Sequence, residues 1–347
     1  MQKVAIIGCG SIARIHGLAL AQREDLHLAA AADCIQERAE DFCECFGGTP
    51  YQSFTQLLDC EKPDVIHLCT PHSLHVPMAA EALRRGIHVL SEKPAAITPG
   101  QLNALREAVR SSPAQYGVCF QNRFNPCVAA ARERLLSGAG GALKAVRAFV
   151  TWSRSREYYT ESGWRGTLSQ EGGGVLTNQA IHTLDLMRYL GGEIASIEGH
   201  IANDHLPGVI EVEDTACALL RYRSGATGVF YATTAYAVDA PVLLELVCEK
   251  ETLRLDGAEL YRRCGKQTEL LIGGSGKTPG KSYWGSGHAQ LIDAFYRALT
   301  PEGEPFPIGI EQAAPVSELL FSLYAKNGID YGKMKVDEAV NGSKSSF

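Results

Sequence analysis

The N-terminal segment places a glycine-rich turn directly between a short apolar strand and a helix. Lys3 to Ile7 has the composition of a strand, and the turn that follows is Gly8-Cys9-Gly10-Ser11-Ile12-Ala13, a G-x-G-x-x-A pattern. A second predicted strand, Leu26 to Ala32, ends at Asp33. Gly8 permits the tight turn, Gly10 leaves room for a pyrophosphate, and Ala13 lets the helix pack on the strand. Free N–H groups at the helix N-terminus suit a phosphate. Strand, turn, helix and carboxylate together predict a βαβ dinucleotide site.

Asp33 indicates which dinucleotide is bound. A carboxylate at this position accepts hydrogen bonds from both ribose hydroxyls, whereas a 2′-phosphate would meet a charge of its own sign. We therefore expect NAD rather than NADP. The alternative is a glycine-rich turn beside an unrelated surface aspartate. Under the first interpretation the dinucleotide contacts Gly8, Gly10, Ser11, Ile12, Ala13 and Asp33.

The alternation of strands and helices continues up to residue 123, which predicts a parallel, doubly wound sheet. Strands are expected over 64–70, 88–91 and 116–121, with helices over 75–85 and 98–111. Ligands of such sheets bind at the carboxyl ends of the strands. Three polar segments fall at those ends: Thr70-Pro71-His72, Glu92-Lys93-Pro94 and Gln121-Asn122-Arg123.

Beyond residue 123 the pattern changes to short strands joined by turns, which favours a large, mostly antiparallel sheet. The strands are expected over 143–152, 194–202, 214–222, 226–234, 243–248 and 252–255. We predict a Rossmann domain over 1–123 and an α/β domain over 124–340. Too few helices are predicted to cover both faces of the second sheet, so we expect a homo-oligomer built on its open face.

A glycine run, Gly172-Gly173-Gly174, precedes a helix that carries a polar stripe. With Thr177 or Asn178 as the cap, Asn178, His182 and Asp185 share one helix face. Glycines allow close approach of a ligand to the backbone. Two interpretations remain open: the stripe faces a pocket, or His182 is a core histidine bonded to Asp185.

Composition excludes several classes of function. The net charge of −6 provides no basic surface for nucleic acid. No segment approaches the ~18 apolar residues of a membrane span. The N-terminus runs straight into a strand rather than a signal peptide, so we expect a cytoplasmic protein. Eleven cysteines occur without a Cys-x-x-Cys pair, and we interpret them as free thiols rather than as disulfides or a metal site.

The chain resembles the glucose–fructose oxidoreductase / inositol dehydrogenase / MocA family over nearly its whole length. The resemblance is carried by the 8–13 turn, Thr70-Pro71-His72-Ser73-Leu74-His75, Glu92-Lys93-Pro94, Asn122-Arg123-Phe124, Trp164-Arg165, the 172–185 stretch and Gly287-His288. It implies a dimer or tetramer and NAD(P)-linked oxidation of a sugar, amino-sugar or cyclitol hydroxyl.

The resemblance also implies roles for single residues. Lys93 and His182 match the family's lysine and histidine, while Asn178 stands where many members have Asp and His72 where Asn is common. The remaining assignments are grouped by ligand. Cofactor contacts are expected from Thr70, Pro71, His72, His75, Glu92, Lys93, Asn122 and Arg165. Substrate contacts are expected from Lys93, Arg123, Tyr158, Trp164, Asn178, His182 and Tyr283, although packing is an alternative for each aromatic residue.

Hydride transfer from an alcohol requires a base near the hydroxyl with a pKa near the working pH. Histidine meets this condition without tuning, so we assign the proton to His182 and polarisation or relay to Lys93. The reverse order stays open, because burial can lower the pKa of a lysine. Two other functions also remain: a reductase or internal redox cycle with tightly bound NAD, and a non-catalytic NAD(H)-sensing regulator. The presence of both Lys93 and His182 argues against the regulator.

Overall fold

The computed structural model of the chain describes residues 1–274 and 286–340. A six-stranded parallel sheet forms the N-terminal part, with the strand order β3-β2-β1-β4-β5-β6. Its strands are β1 (Gln2–Ile7), β2 (Leu26–Ala32), β3 (Thr49–Tyr51), β4 (Val65–Leu68), β5 (His88–Ser91) and β6 (Tyr116–Val118). This order is that of the Rossmann fold, with its switch point between β1 and β4. The predicted doubly wound sheet is confirmed.

Five helices accompany this sheet: α1 (Ser11–Leu20), α2 (Gln36–Phe46), α3 (Phe54–Glu61), α4 (His75–Arg84) and α5 (Pro99–Arg110). The strands are buried on both faces; β4, for example, has no exposed residue. Such strands show a continuous apolar run rather than alternation. Strand β3 and helix α3 were not predicted from the sequence.

An eight-stranded sheet forms the second part, with the order β14-β13-β12-β11-β7-β10-β9-β8. Its strands are β7 (Leu143–Thr151), β8 (Ile194–Ala202), β9 (Thr215–Tyr222), β10 (Thr227–Thr233), β11 (Leu243–Cys248), β12 (Thr252–Asp256), β13 (Glu259–Cys264) and β14 (Gln267–Ile272). All neighbours pair antiparallel except β7 and β10. The mostly antiparallel sheet is confirmed, and β13 and β14 extend it beyond the prediction.

One face of this sheet is covered and the other is open. On β9, Ala216, Ala218 and Leu220 are buried while the residues between them are exposed. Leu219, which is 64% exposed, lies directly opposite Val229 of β10, which is 44% exposed. An apolar cross-strand pair thus lies on the open face, where the oligomer is predicted.

The remaining helices are α6 (Pro126–Leu136), α7 (Arg156–Thr160), α8 (Ile181–Gly191), α9 (Gly287–Arg297) and α10 (Ile310–Lys326). The last two return to the first sheet: Tyr296 of α9 bonds His67 of β4, and Glu318 of α10 pairs with Arg106 of α5. The predicted boundary at 123/124 therefore divides a chain whose C-terminal helices pack on both parts. Within the described residues, no helix combines the length and the apolar character needed to cross a bilayer.

Candidate active site

A cavity of about 420 Å³ opens at the carboxyl ends of the first sheet and extends towards α8. Its lining includes most of the predicted site residues. From the predicted set it takes Gly8, Gly10, Ser11, Ile12, Asp33, Thr70, Pro71, His72, Glu92, Lys93, Asn122, Tyr158, Trp164, Arg165, Asn178 and His182. Tyr283, the remaining predicted aromatic contact, lies outside the described residues.

The β1–α1 turn fits a dinucleotide. Gly8 has φ +87°, and a Cβ there would lie 2.7 Å from the Cys69 carbonyl oxygen, so the fold itself requires this glycine. At Gly10 a Cβ would meet nothing within 4 Å, so this position opens onto the cavity. Gly10 is the N-cap of α1, which begins at Ser11, and no side chain caps the first N–H groups of the helix. This turn would hold the pyrophosphate.

Asp33 is held rigidly at the end of β2. Its Oδ2 accepts a hydrogen bond from the Cys9 backbone N–H at 2.8 Å, and its Oδ1 accepts one from the Ile35 N–H at 2.9 Å. The carboxylate lines the cavity where a ribose of the dinucleotide would lie. Deeper in the cavity, Thr70 Oγ1 and Asn122 Oδ1 are buried and have no hydrogen-bond partner among the residues that the structure describes. These orphaned polar atoms suit a polar ligand.

Two predicted cofactor contacts lie outside this lining. Ala13 is fully buried, consistent with its packing role. His75 is also buried, and its ring nitrogens lie 2.9 Å from the Pro94 carbonyl oxygen and 3.0 Å from the Thr70 carbonyl oxygen. Its prediction as a direct contact is corrected, because both nitrogens face backbone. His75 ties together the two loops that line the cavity.

Lys93 and Asn178 are in direct contact. The Lys93 Nζ donates to the Asn178 backbone carbonyl at 3.0 Å and to Asn178 Oδ1 at 3.3 Å. Burial lowers the pKa of Lys93 below its ordinary value, and the nearby Glu92 and Glu171 carboxylates oppose that shift. A lysine in this setting gives up its proton more readily than one in water.

His182 lines the same cavity but does not bond Asp185. Its Nδ1 is buried and finds no hydrogen-bond partner within 1–274 or 286–340, and its ring meets Phe120 edge-on at 5.9 Å between centroids. The interpretation of His182 as a core histidine satisfied by Asp185 is therefore wrong. Burial, reinforced by the charge of Lys93, lowers the pKa of His182 to about 3. The expectation that its pKa needs no tuning is also corrected.

Arg123, predicted as a substrate contact, lies away from the cavity. Its guanidinium donates to both carboxylate oxygens of Asp185, at 2.5 and 2.8 Å, and lies over the rings of Phe120 and Tyr189. Both charged groups are almost fully buried. The pair joins the 121–124 turn to α8, so Arg123 positions the helix that carries His182.

The glycine run is required by protein packing rather than by a ligand, which corrects the expected close ligand approach. A Cβ at Gly172 would lie 2.3 Å from Ile97, one at Gly173 would lie 2.2 Å from the Tyr324 hydroxyl, and one at Gly174 would lie 1.8 Å from the Glu213 carbonyl. α8 begins only at Ile181, after Ala180, so neither Thr177 nor Asn178 caps it. Asn178 lies in the preceding turn.

Glu213 and Tyr324 hold this turn in place. The Glu213 carboxylate accepts hydrogen bonds from the Gly174 and Leu176 N–H groups at 2.9 Å each, and from the Tyr324 hydroxyl at 2.7 Å. The Tyr324 hydroxyl also contacts Thr177 Oγ1 at 2.9 Å. Because the turn is fixed on both sides, Asn178 has a defined position opposite Lys93.

Glu171 is a site residue that the sequence analysis missed. Its Oε1 accepts a hydrogen bond from Asn178 Nδ2 at 2.5 Å, and its Oε2 accepts one from the Gly166 N–H at 2.5 Å. Burial raises the pKa of Glu171 to about 7. Its carbonyl lies 2.8 Å from His72 Nδ1. The available signal was an acidic residue directly before the glycine run.

Behind Lys93, Glu92 ends a buried chain of hydrogen bonds. Glu92 Oε1 lies 3.2 Å from His16 Nε2, His16 Nδ1 lies 2.8 Å from His67 Nδ1, and His67 Nε2 lies 2.8 Å from the Tyr296 hydroxyl. Although burial opposes ionisation, His16 keeps the pKa of Glu92 at about 2. Cys119 lies with His16 and Glu92 in a group of potential metal ligands within 4.8 Å, but both nitrogens of His16 are engaged in this chain.

The outer wall of the cavity carries aromatic and cationic side chains. Arg165 lies over the rings of Tyr158 and Trp164, at 4.5 and 5.0 Å from their centroids, and in the described part of the chain it forms no ion pair. Arg154 pairs with Asp239 at 2.8 Å. His288, near the start of α9, also lines the cavity. This wall suits a polyhydroxylated or anionic ligand.

Comparison with known proteins agrees with this architecture. Residues 2–120 match an oxidoreductase family with an NAD-binding Rossmann fold, and residues 128–254 match the GFO/IDH/MocA C-terminal domain. The D-glucoside 3-dehydrogenase of Escherichia coli (strain K12) is 28% identical over 255 residues, which cover 68% of this chain and 71% of that one. The levoglucosan dehydrogenase of Pseudarthrobacter phenanthrenivorans is 27% identical over 260 residues, with coverage of 66% and 67%.

A solved structure is similar over almost the whole chain. The WlbA dehydrogenase from Bordetella pertussis, in complex with NADH and UDP-GlcNAcA, has a TM-score of 0.82 and 28% identity, covering 94% of this chain and 97% of that one. The Rossmann sheet and the open second sheet of the structure agree with the two domains that the family models match. The chain belongs to the GFO/IDH/MocA oxidoreductase family, whose N-terminal domain is an NAD-binding Rossmann fold.

Proposed function

We propose that this protein catalyses the NAD-linked oxidation of a secondary hydroxyl on a sugar or a related ring compound. The observation that carries the proposal is the meeting of Lys93, Asn178 and His182 in one cavity with the β1–α1 turn and Asp33. The printed activities of the relatives, on D-glucosides and levoglucosan, support a carbohydrate substrate. NAD, when bound, accepts the hydride.

The charges in the cavity favour Lys93 as the proton acceptor, the reverse of the order that the sequence suggested. Burial lowers the pKa of Lys93 towards the working range, whereas it takes the pKa of His182 to about 3, away from that range. A neutral amine has two N–H groups and one lone pair. Since both acceptors of Lys93 belong to Asn178, the lone pair is the group left for the substrate hydroxyl.

His182 then acts as a neutral hydrogen-bonding group that orients the hydroxyl. The reaction balances in two parts: the hydride leaves the carbinol carbon with two electrons, and the hydroxyl proton passes to Lys93. The product is a ketone, with Lys93 as the ammonium. Arg165, Trp164 and Tyr158 line the wall on which the rest of the substrate would lie.

Quaternary structure is a second part of the proposal. A homodimer or homotetramer would cover the open face of the eight-stranded sheet, where Leu219 and Val229 form an exposed apolar pair. Burying such a pair is favourable at about 25 cal/mol per Å² of apolar surface.

The experiment is a screen of pyranosides, anhydrosugars, cyclitols and nucleotide-sugars for NADH formation, with Lys93→Met as the matched control. Turnover of a ring hydroxyl that disappears in Lys93→Met supports the proposal. If the freshly purified protein shows NADH absorbance and releases the NADH only on denaturation, the result points instead to an internal redox cycle. Tight NAD(H) binding without turnover of any hydroxyl points to the regulator.

A further inference from the structure

The Asn178 side chain bridges two charged groups. Its Nδ2 donates to Glu171 Oε1 at 2.5 Å, and its Oδ1 accepts from Lys93 Nζ at 3.3 Å. The Asn178 backbone carbonyl is a second acceptor for the same Nζ, at 3.0 Å. A continuous path of hydrogen bonds therefore runs from a buried carboxylate to the proposed base.

The chemistry of the three groups fixes the direction of this path. Both Glu171 oxygens accept N–H groups, as the oxygens of an ionised carboxylate do, and a lysine nitrogen with its N–H groups turned to Asn178 only donates to it. An amide has one end of each kind, so Glu171 binds the Nδ2 end and Lys93 binds Oδ1. Without Glu171, the contact with Lys93 alone sets the orientation of the Asn178 amide.

Glu171 is also unable to turn away. Its residue is only 1% exposed, and its second oxygen accepts the Gly166 N–H at 2.5 Å. Across residues 1–274 and 286–340 it forms no ion pair, and its two oxygens accept from Asn178 Nδ2 and from the Gly166 N–H. The other charged groups that influence it are Arg165, which favours its ionisation, and Glu213, which opposes it.

We propose that Glu171 is a positioning residue that supplies, through Asn178, the negative charge that stabilises the Lys93 ammonium. Glu171 and Asn178 together then do the work of a single carboxylate at position 178. This proposal rests on the proposed function for its catalytic meaning, because the Lys93 ammonium is the state formed when the substrate proton arrives. The contacts themselves do not depend on the substrate.

The test therefore measures Lys93 directly. The free protein is labelled with a trace of acetic anhydride across a pH series, and the modified fraction of Lys93 is read by mass spectrometry in wild type, Glu171→Gln and Glu211→Gln. Gln at 171 keeps the size and an acceptor for Gly166 but removes the charge. Glu211→Gln is the matched control, because Glu211 also accepts a backbone N–H of the loop before the glycine run, that of Leu168 at 2.9 Å, and its carboxylate does not bond Asn178.

Above pH 7, where Glu171 with its pKa of about 7 is ionised, loss of its charge is expected to lower the pKa of Lys93 and to raise its labelling by about 3- to 10-fold, since one pKa unit is a tenfold change in the free amine. Glu211→Gln is expected to give no increase. The double variant Glu171→Gln/Asn178→Asp places a carboxylate directly on Lys93 and is expected to return labelling to the wild-type level or below.

Equal labelling of Lys93 in wild type and Glu171→Gln, with both proteins folded by circular dichroism, would overturn the proposal. If Glu171→Gln does not fold, the double variant and the single Asn178→Leu variant test the proposal in its place. Asn178→Leu breaks the path with Glu171 intact and is expected to raise labelling, and wild-type labelling in it overturns the proposal. Labelling needs no substrate, so a failed substrate screen would count against the proposed function and leave this result standing.

Discussion

The neutral state of His182 predicts a specific loss of stability in acid. Burial lowers the pKa of His182 from 6.5 to about 3, so the unfolded chain binds a proton below about pH 6.5 that the folded chain does not. This contribution to stability is fully present above pH 6.5 and is lost as the pH falls towards 3. Each pH unit in that window costs 1.36 kcal/mol, so lowering the pH from about 7.5 to about 5 costs roughly 2 kcal/mol through His182 alone.

The perturbation is His182→Gln, which keeps a polar side chain but removes the titrating group. The assay is thermal unfolding of the protein without cofactor at both pH values, followed by circular dichroism. Wild type is expected to lose roughly 3 °C more in Tm than the variant on acidification. His27, exposed on β2, provides the control, because His27→Gln is expected to follow wild type. If the Tm of wild type and the Tm of His182→Gln depend on pH in the same way, the reasoning is refuted, because the pKa of His182 would then be the same in the folded and the unfolded chain.

Four further predictions concern chemistry and assembly. Lys93→Ala and His182→Ala are each expected to lower kcat by ~10²–10⁴ with little change in NAD affinity. The double variant is expected to lower kcat by far less than the product of the two factors, because the residues act as a unit. Steady-state kinetics and NADH binding check both expectations. If Lys93 is the base, kcat in wild type and His182→Ala rises with pH through the Lys93 pKa, and a flat profile in both would contradict it. Asp33→Ala is expected to abolish a preference for NAD over NADP, measured as the ratio of the kcat/KM values for the two cofactors. Equal kcat/KM values for NAD and NADP in wild type would contradict the prediction. Leu219→Glu, next to Val229 on the open sheet face, is expected to shift the protein towards monomer in light scattering, whereas a wild-type monomer at micromolar concentration would argue against assembly on that face.

The elements that the sequence predicts well are those whose pattern is local. The G-x-G-x-x-A turn, the strand ends at Thr70 and Glu92, and most strands of the second sheet follow from short-range signals. The strands β13 and β14 were missed because they are mostly exposed or half-buried and polar, and so lack an apolar alternation. Helix α8 was predicted to start too early, since the turn over 177–180 has the same polar residues as a capped helix start.

The site was only partly predictable, because its electrostatics depend on burial and on distant partners. Arg123 and Asp185 both carry polar signals, and only the fold shows that they bind each other. Burial, reinforced by the charge of Lys93, moves the pKa of His182 out of the range that its residue type suggests. Glu171 acquires its importance through Asn178 and Gly166, and no motif marks that pair of contacts.

The way the glycine run is held has a consequence for the order in which the protein matures. Tyr324, which bonds both Glu213 and Thr177, belongs to α10, a helix that the ribosome makes long after the run itself. Until α10 has been synthesised and docked, the turn that presents Asn178 to Lys93 lacks the hydrogen bonds that Tyr324 makes with Glu213 and Thr177. Contacts of such long sequence separation form late in folding. A nascent chain can therefore carry every motif by which the family is recognised before it has an assembled active site.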